Sequence, residues 1–473
     1  MNNKSKKLAF NTIVFLIGNL GAKLIQFLLV PLYTYTLSTS DYGISEILFT
    51  SINFLIPIFS VSIADGYLRY GLDKKYNKDD ITNIALKIVF KGSIFSIICI
   101  PLFMKNNILS NWIIYFLAIL NLRMYRDIFA IRLKIYEYNK LYAIDSILYT
   151  FILCLSSYLL LAVCDMGVAG YLLAYVIANI CSIMFIIWLS KFNVRSVWAK
   201  TDKILYKEII KYSLPMIVNG IAWWVTNASD KFMLEYMMSN AAVGIYSIAA
   251  KIPSFITTFT GIFSQAWTVS SVVEYDNERE KNFYSITFRR YYEMLFIWSS
   301  FLILIIKPFL AFYVNDIYFE AWKYAPLLIA GAISSGVVSF TVGIYSALKK
   351  NINVTITTVI GGIMNLILNF ILIKRLGIMG ATIATFVAWT IIVILRLWDI
   401  KKIFYFKVDY LKLLILYILI IAECIIIINA NEMLAFFIAA LIVSCILYIS
   451  RGTINEILSS IKNKIFERKK NNG

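Results

Sequence analysis

The side chains able to do chemistry in this chain are charged residues set inside long apolar runs. Lys23 lies about thirteen residues into the first run and Lys251 about ten into the eighth, roughly 20 and 15 Å deep at about 1.5 Å per residue. A charge at such depth costs roughly 2.5–3.5 kcal/mol on insertion scales and rarely faces lipid. Each lysine therefore belongs either to the cationic wall of a polar interior or to a snorkelling or carboxylate-paired arrangement. Lys91 is shallower in the third run, within snorkelling reach. Arg69 follows Asp65 by one helical turn, the spacing of a local ion pair, and its planar fork also suits an oxyanion. Asp65, Asp230 and Glu46 are candidates for coupling to an ion. For Asp230 and Glu46, at span ends, a solvated helix terminus is the competing reading. Trp223, Trp224 and Trp267, with Gln265 beside the last, offer flat faces and a polar amide. An interfacial aromatic belt accounts for membrane tryptophans more often. Pro31, Pro57 and Pro253 fall inside runs and are expected to bend them. With no histidine and six cysteines lacking ligand spacing, no metal site and no imidazole relay is expected. No phosphate-binding glycine loop is present, so no nucleotide cofactor is expected either.

The elements positioning these residues are dictated by composition. Of 473 residues, 60% are apolar and 15% charged, too few polar side chains to coat a soluble protein. Lipid tolerates apolar surface, and inside it every backbone amide must be paired within its own segment, which selects helices. The runs are continuous rather than alternating, which excludes a β-barrel. About fourteen spans of near-membrane length are expected, near 10–35, 44–64, 84–104, 111–131, 143–163, 168–189, 209–229, 241–265, 291–313, 324–348, 354–373, 378–398, 409–429 and 433–450. The fourth is the weakest, because Arg123 and Arg126 cut into it. The net charge of +18 would suggest nucleic acid in a soluble chain. Here lysines and arginines concentrate in alternate loops and in the C-terminal tail, with Lys374 and Arg375 the main exception. The positive-inside rule then places both termini in the cytoplasm, and no nucleic-acid role is expected.

Two segment pairs suggest an internal repeat. Ser38–Ile47 aligns with Ser239–Ile248, glycine on glycine at 43 and 244. The small-residue series Gly167, Gly170, Ala174, Ala178 aligns with Gly377, Gly380, Ala384, Ala388. The copies begin on the same side, so the expected symmetry is a pseudo-two-fold along the membrane normal. The expected organisation is a six-helix half over 1–200, a second over 201–402, two further helices over 403–450 and a basic cytoplasmic tail over 451–473. The small residues by themselves need be no more than helix-packing glue.

Asp230–Leu234, Ala242–Pro253, Gln265–Trp267, Gly362–Asn369 and Gly377–Thr385, with Leu37–Gly43 and Arg69 in the first half, resemble the polysaccharide transport (Wzx-type) oligosaccharide flippase family. That family belongs to the multidrug/oligosaccharidyl-lipid/polysaccharide exporter superfamily. The resemblance runs over most of the chain and departs at Thr268, where relatives often carry a proline soon after the tryptophan. It implies a V-shaped pair of six-helix bundles that is not an enzyme and needs no cofactor. The implied task is flipping a polyprenyl-pyrophosphate-linked oligosaccharide across a bacterial plasma membrane by alternating access, for O-antigen (lipopolysaccharide) or capsule synthesis. The implied partners are the lipid-linked substrate, membrane lipid, a coupling H+ or Na+, and a polysaccharide polymerase with its chain-length regulator. Under this resemblance Lys23, Lys251, Arg69, Lys91, Trp267 and Gln265 would meet phosphate and sugar. A drug/ion antiporter would carry buried carboxylates instead, and a glycan polymerase would carry a large outer loop, for which the short outer gaps leave no room.

Overall fold

The computed structural model describes residues 27–73, 75–193, 201–274, 281–348, 350–404, 406–456 and 458–459. Among these the chain is helical, with no strand. In order, the main helices are α1 (Phe27–Thr36), α2 (Thr39–Phe59), α3 (Ile63–Gly71), α4 (Lys78–Ile98), α5 (Ile113–Ile135), α6 (Asn139–Ser157), α7 (Gly167–Leu189) and α8 (Lys203–Met237). There follow α9 (Asn240–Lys251), α10 (Ser254–Glu274), α11 (Lys281–Tyr313), α12 (Ala325–Ala347), α13 (Asn351–Leu376), α14 (Ile378–Ile403), α15 (Tyr410–Asn429) and α16 (Glu432–Ile449). Several starts are set by side chains that accept otherwise unpaired first-turn amides: Ser38 from Asp41, Asn77 from Asp79, Asp202 from Ile204 and Asp409 from Lys412.

Ten of the described helices are long and apolar enough to cross a membrane, or eleven if α9 and α10 form one bent span. Helices α5 and α8, of 23 and 35 residues, are also long enough but more highly charged. Thirteen of the fourteen expected runs coincide with these helices; most of the first lies outside the described residues. The α9–α10 bend is 49°, at the break carrying Pro253. Helix α2 carries Pro57 near its end and gives way to α3 through Val61 and Ser62, both at positive φ (57° and 47°). For a β-branched valine that backbone region is a genuine outlier.

The chain packs as two compact units, Met1–Ser247 and Ile248–Gly473, the division falling within α9. In the first unit α5 lies against α2, α3, α4, α6 and α7, while α8 packs on α2 and α3. In the second, α12 is the most enclosed span and touches α10, α11, α13, α14 and α15, with α16 laid on α11 and α15.

The two glycines of the first repeat pair meet in the first unit. A Cβ on Gly43 would overlap the Asn240 carbonyl, and a Cβ on Gly244 would overlap the Thr39 carbonyl. Thr39 and Asn240 occupy matching positions of the two aligned segments, each the first residue of its helix, so the two contacts have the same form. Only a residue without a Cβ permits backbones this close.

Candidate functional site

Halfway along α5, one turn apart, stand Arg123 and Arg126, about 15 and 20 Å from the helix start. They share a face, and α5 turns that face to the interior of the first unit, as the cost of charge in hydrocarbon demands. Arg123 Nη1 donates to Asn53 Oδ1 of α2 (2.8 Å), a neutral partner. Arg126 is held from three directions. Its Nε donates to Ser182 Oγ of α7 (2.8 Å), its Nη2 lies 3.3 Å from Asp145 Oδ2 of α6, and its plane covers the Tyr149 ring at 3.8 Å. Ser182 in turn donates to the other oxygen of Asp145 (2.6 Å), so the buried carboxylate is satisfied on both sides. Of the five N–H donors of a guanidinium, these bonds use two on Arg126.

Beside this basic shelf lies an aromatic wall. Tyr171 of α7 takes Tyr33 and Phe49 edge-on at 4.7 and 5.7 Å, Tyr175 packs on Phe49 at 4.2 Å, and Tyr42 adds a further edge contact with Tyr171. Phenol rings present flat apolar faces with a hydroxyl handle, suited to partly polar ring-shaped ligands.

Towards the start of α2, Glu46 is buried and receives Lys231 Nζ at 2.5 Å and the Tyr42 hydroxyl at 3.0 Å. The next residue along, Asp230, is also buried and receives the Tyr246 hydroxyl at 2.6 Å. Neither carboxylate is a solvated helix end. Both sit close to the Gly43–Gly244 crossing, where α2, α8 and α9 converge.

The other residues singled out in the sequence are dispersed. Lys23 lies outside the described residues. Arg69 is largely exposed and sits 4.0 Å from Asp73, one turn onward, rather than from Asp65 one turn back; Asp65 is exposed. Lys91 donates to the Tyr206 hydroxyl at 3.1 Å and lies over its ring. Lys251 occupies the last turn of α9, beside the helix's carbonyl end, where a cation is favoured by the dipole. Trp267 is buried, donates to the Phe340 carbonyl (2.8 Å) and stacks on its ring, while Gln265 is exposed. Trp224 donates to the Thr50 carbonyl (2.9 Å), fastening α8 to α2; the Trp223 side chain lies outside the described residues. Arg123 and Arg126 were legible only as defects in a span. The signal was their three-residue spacing, which stacks both charges on one helical face and so excludes a lipid-facing pair.

The second unit holds its charges differently. Arg396 is buried and bonds five neutral oxygens, those of Thr357, Thr341, Thr358, Val338 and Val354, a structural clamp of α12, α13 and α14. Glu293 pairs with Lys412 at 2.5 Å. Glu423 of α15 takes one bond from Ser300 (2.6 Å), and its second oxygen is buried without a hydrogen-bond partner among the described residues.

The described residues form a multi-pass all-helical membrane fold with charge lodged between its helices. A structure described as "Lipid II flippase MurJ, inward closed conformation" shares this fold with TM-score 0.68 and 15% identity over 95% of this chain and 100% of that one. An inward-facing multidrug resistance MATE family transporter of the MOP superfamily gives 0.66 and 13% over 82% and 94%. A MOP superfamily transporter from Pyrococcus furiosus gives 0.56 and 14% over 82% and 94%. No curated protein matches. The family described as "Polysaccharide biosynthesis protein" matches residues 8–269, more than half the chain, and the chain belongs to that family.

Proposed function

We propose that this protein flips a polyprenyl-pyrophosphate-linked oligosaccharide across a bacterial plasma membrane by alternating access, in the synthesis of a surface polysaccharide such as O-antigen or capsule. The observation that carries the reading is the Arg123–Arg126 shelf at mid-depth in the first unit. A pyrophosphate cannot enter hydrocarbon unpaired, and guanidinium groups offer it parallel donors. Arg126 is pre-oriented by Asp145, Ser182 and Tyr149, so little rotamer freedom is lost on binding. The tyrosine wall supplies faces for sugar rings. Lys23, Lys251 and Arg69 remain proposed as outlying cations that guide the anion, over two six-helix halves at 1–200 and 201–402. In this reading both termini are cytoplasmic and a polymerase consumes the flipped unit.

The Glu46–Lys231 pair, together with the Gly43–Gly244 crossing, serves as the outer latch, which parts when the chain opens outward. A second reading, coupling to H+ or Na+, is favoured by one observation. Glu423 keeps a buried oxygen without a hydrogen-bond partner among the described residues, a place where a proton or a cation would neutralise the buried charge.

The test is deletion followed by analysis of lipid-linked intermediates, with purified protein in vesicles as the direct assay. Complete units trapped on the inner leaflet, and transfer restored by wild type but not by Arg123→Gln, are expected. Normal translocation with shortened polymer would point to a polymerase and overturn the proposal.

A further inference from the structure

Between α14 and α15 the second unit carries a groove of about 530 Å³ lined by Phe386, Val393, Ile394, Leu397, Leu414 and Ile418, among others. Its two hydroxyl-bearing walls are turned away from the opening. Tyr417 and Thr390 both pair with Ser334 behind them (3.1 Å each), which leaves ring and methyl surface facing outward. One end differs in kind. Lys401 and Tyr410 close it, with Trp398 beside them, and Lys402 Nζ lies over the Trp398 ring at 3.2 Å. From Lys401 to Phe386 the groove runs about 22 Å along α14, and from Tyr410 to Ile421 about 16 Å along α15. One leaflet, half of a hydrocarbon core of about 30 Å, is close to the α15 wall in length.

We infer that this groove is a binding site for an anionic glycerophospholipid of the leaflet on the Lys401 side. One acyl chain lies along Ile394, Leu414 and Ile418, and the phosphate meets Lys401 and Lys402. Charge complementarity selects the head, since two ammonium groups and the rings of Trp398 and Tyr410 mark an interfacial anchor. Depth selects the tail, because a single-leaflet chain fills the groove whereas a polyprenyl chain would overrun it. The site is separate from the Arg123–Arg126 shelf, so its failure leaves the flipping proposal standing, and the reverse.

The experiment uses the full chain. Vesicles doped with phosphatidylglycerol brominated on its acyl chains should quench tryptophan fluorescence, and Trp398→Phe should lower that quenching measurably. Ile418→Trp, which fills the groove, should lower phosphatidylglycerol retained through detergent extraction about tenfold by native mass spectrometry. Lys401→Gln with Lys402→Gln should abolish the preference over phosphatidylcholine while leaving chain occupancy. Should Ile418→Trp fold poorly, the conservative Trp398→Phe quenching result decides alone. Equal quenching by brominated phosphatidylcholine, unchanged quenching in Trp398→Phe, retention of a polyprenyl phosphate instead, or a groove covered by a second copy would overturn the site.

Discussion

At the scale of single residues, the informative fact is which charges have charged partners. Arg123 bonds a neutral amide, and Asp127, the carboxylate one turn on, also has Arg126 beside it, so Arg123→Gln leaves that carboxylate a neighbouring cation. It should leave the thermal midpoint within a few degrees while cutting flux at least tenfold, read by substrate transfer in vesicles. Loss of folding together with flux would reduce Arg123 to a structural role. Lys231 is the opposite case. Removing it strands Glu46 in the interior, and Lys231→Met should cost about 3–5 kcal/mol. Adding Glu46→Leu should recover most of that, which denaturation of the single and double variants measures. Outside the spans, Glu456 has its carboxyl held below the usual range by its bond to Arg290 and, behind that, by Arg289. A depressed carboxyl stabilises above its unfolded pKa, about 4.3, and that contribution is lost as pH falls through the folded value. The pair is largely exposed, so solvent keeps the effect small. Glu456→Gln should lower stability slightly at pH 7, where the ionised pair contributes, and make no difference once the pH is well below the folded value, so the fall in stability through about pH 4.3 flattens.

At the scale of elements, the helices were legible and their polar insertions were not. Continuous apolar runs leave lipid-embedded backbone no option but to pair with itself, so span number follows from composition. Hydropathy counts a charge without asking where it points, and that made α5 look like the weakest span when it is the central helix of its unit. Glu46 and Lys231 are 185 residues apart, so no local pattern announced their pairing. Arg69 had an aspartate one turn to either side, and spacing alone does not choose between them. The turn from α2 to α3 makes a prediction at this scale. Val61 sits at φ 57°, and Val61→Gly should stabilise by about 1 kcal/mol, seen as a higher midpoint in detergent. If the strained turn also serves as a hinge, flux should fall at the same time.

At the scale of the whole molecule, the resemblance between the Ser38–Ile47 and Ser239–Ile248 segments has a structural counterpart. The two segments meet at Gly43 and Gly244, and the approach leaves no space for a side chain on either. Gly43→Val should therefore cost about 1–3 kcal/mol of packing strain and disturb flux, and Gly244→Val should do the same to a comparable degree. A large asymmetry between the two would deny the equivalence.

That reciprocity bears on ancestry. A surface that recognises its own counterpart is what two separate half-length subunits would present across a dyad. Joining them end to end would fix the dimer as a single polypeptide, after which each half was at liberty to diverge. On that origin the glycine pair would be held alike, because a side chain on either would meet the backbone of the other segment.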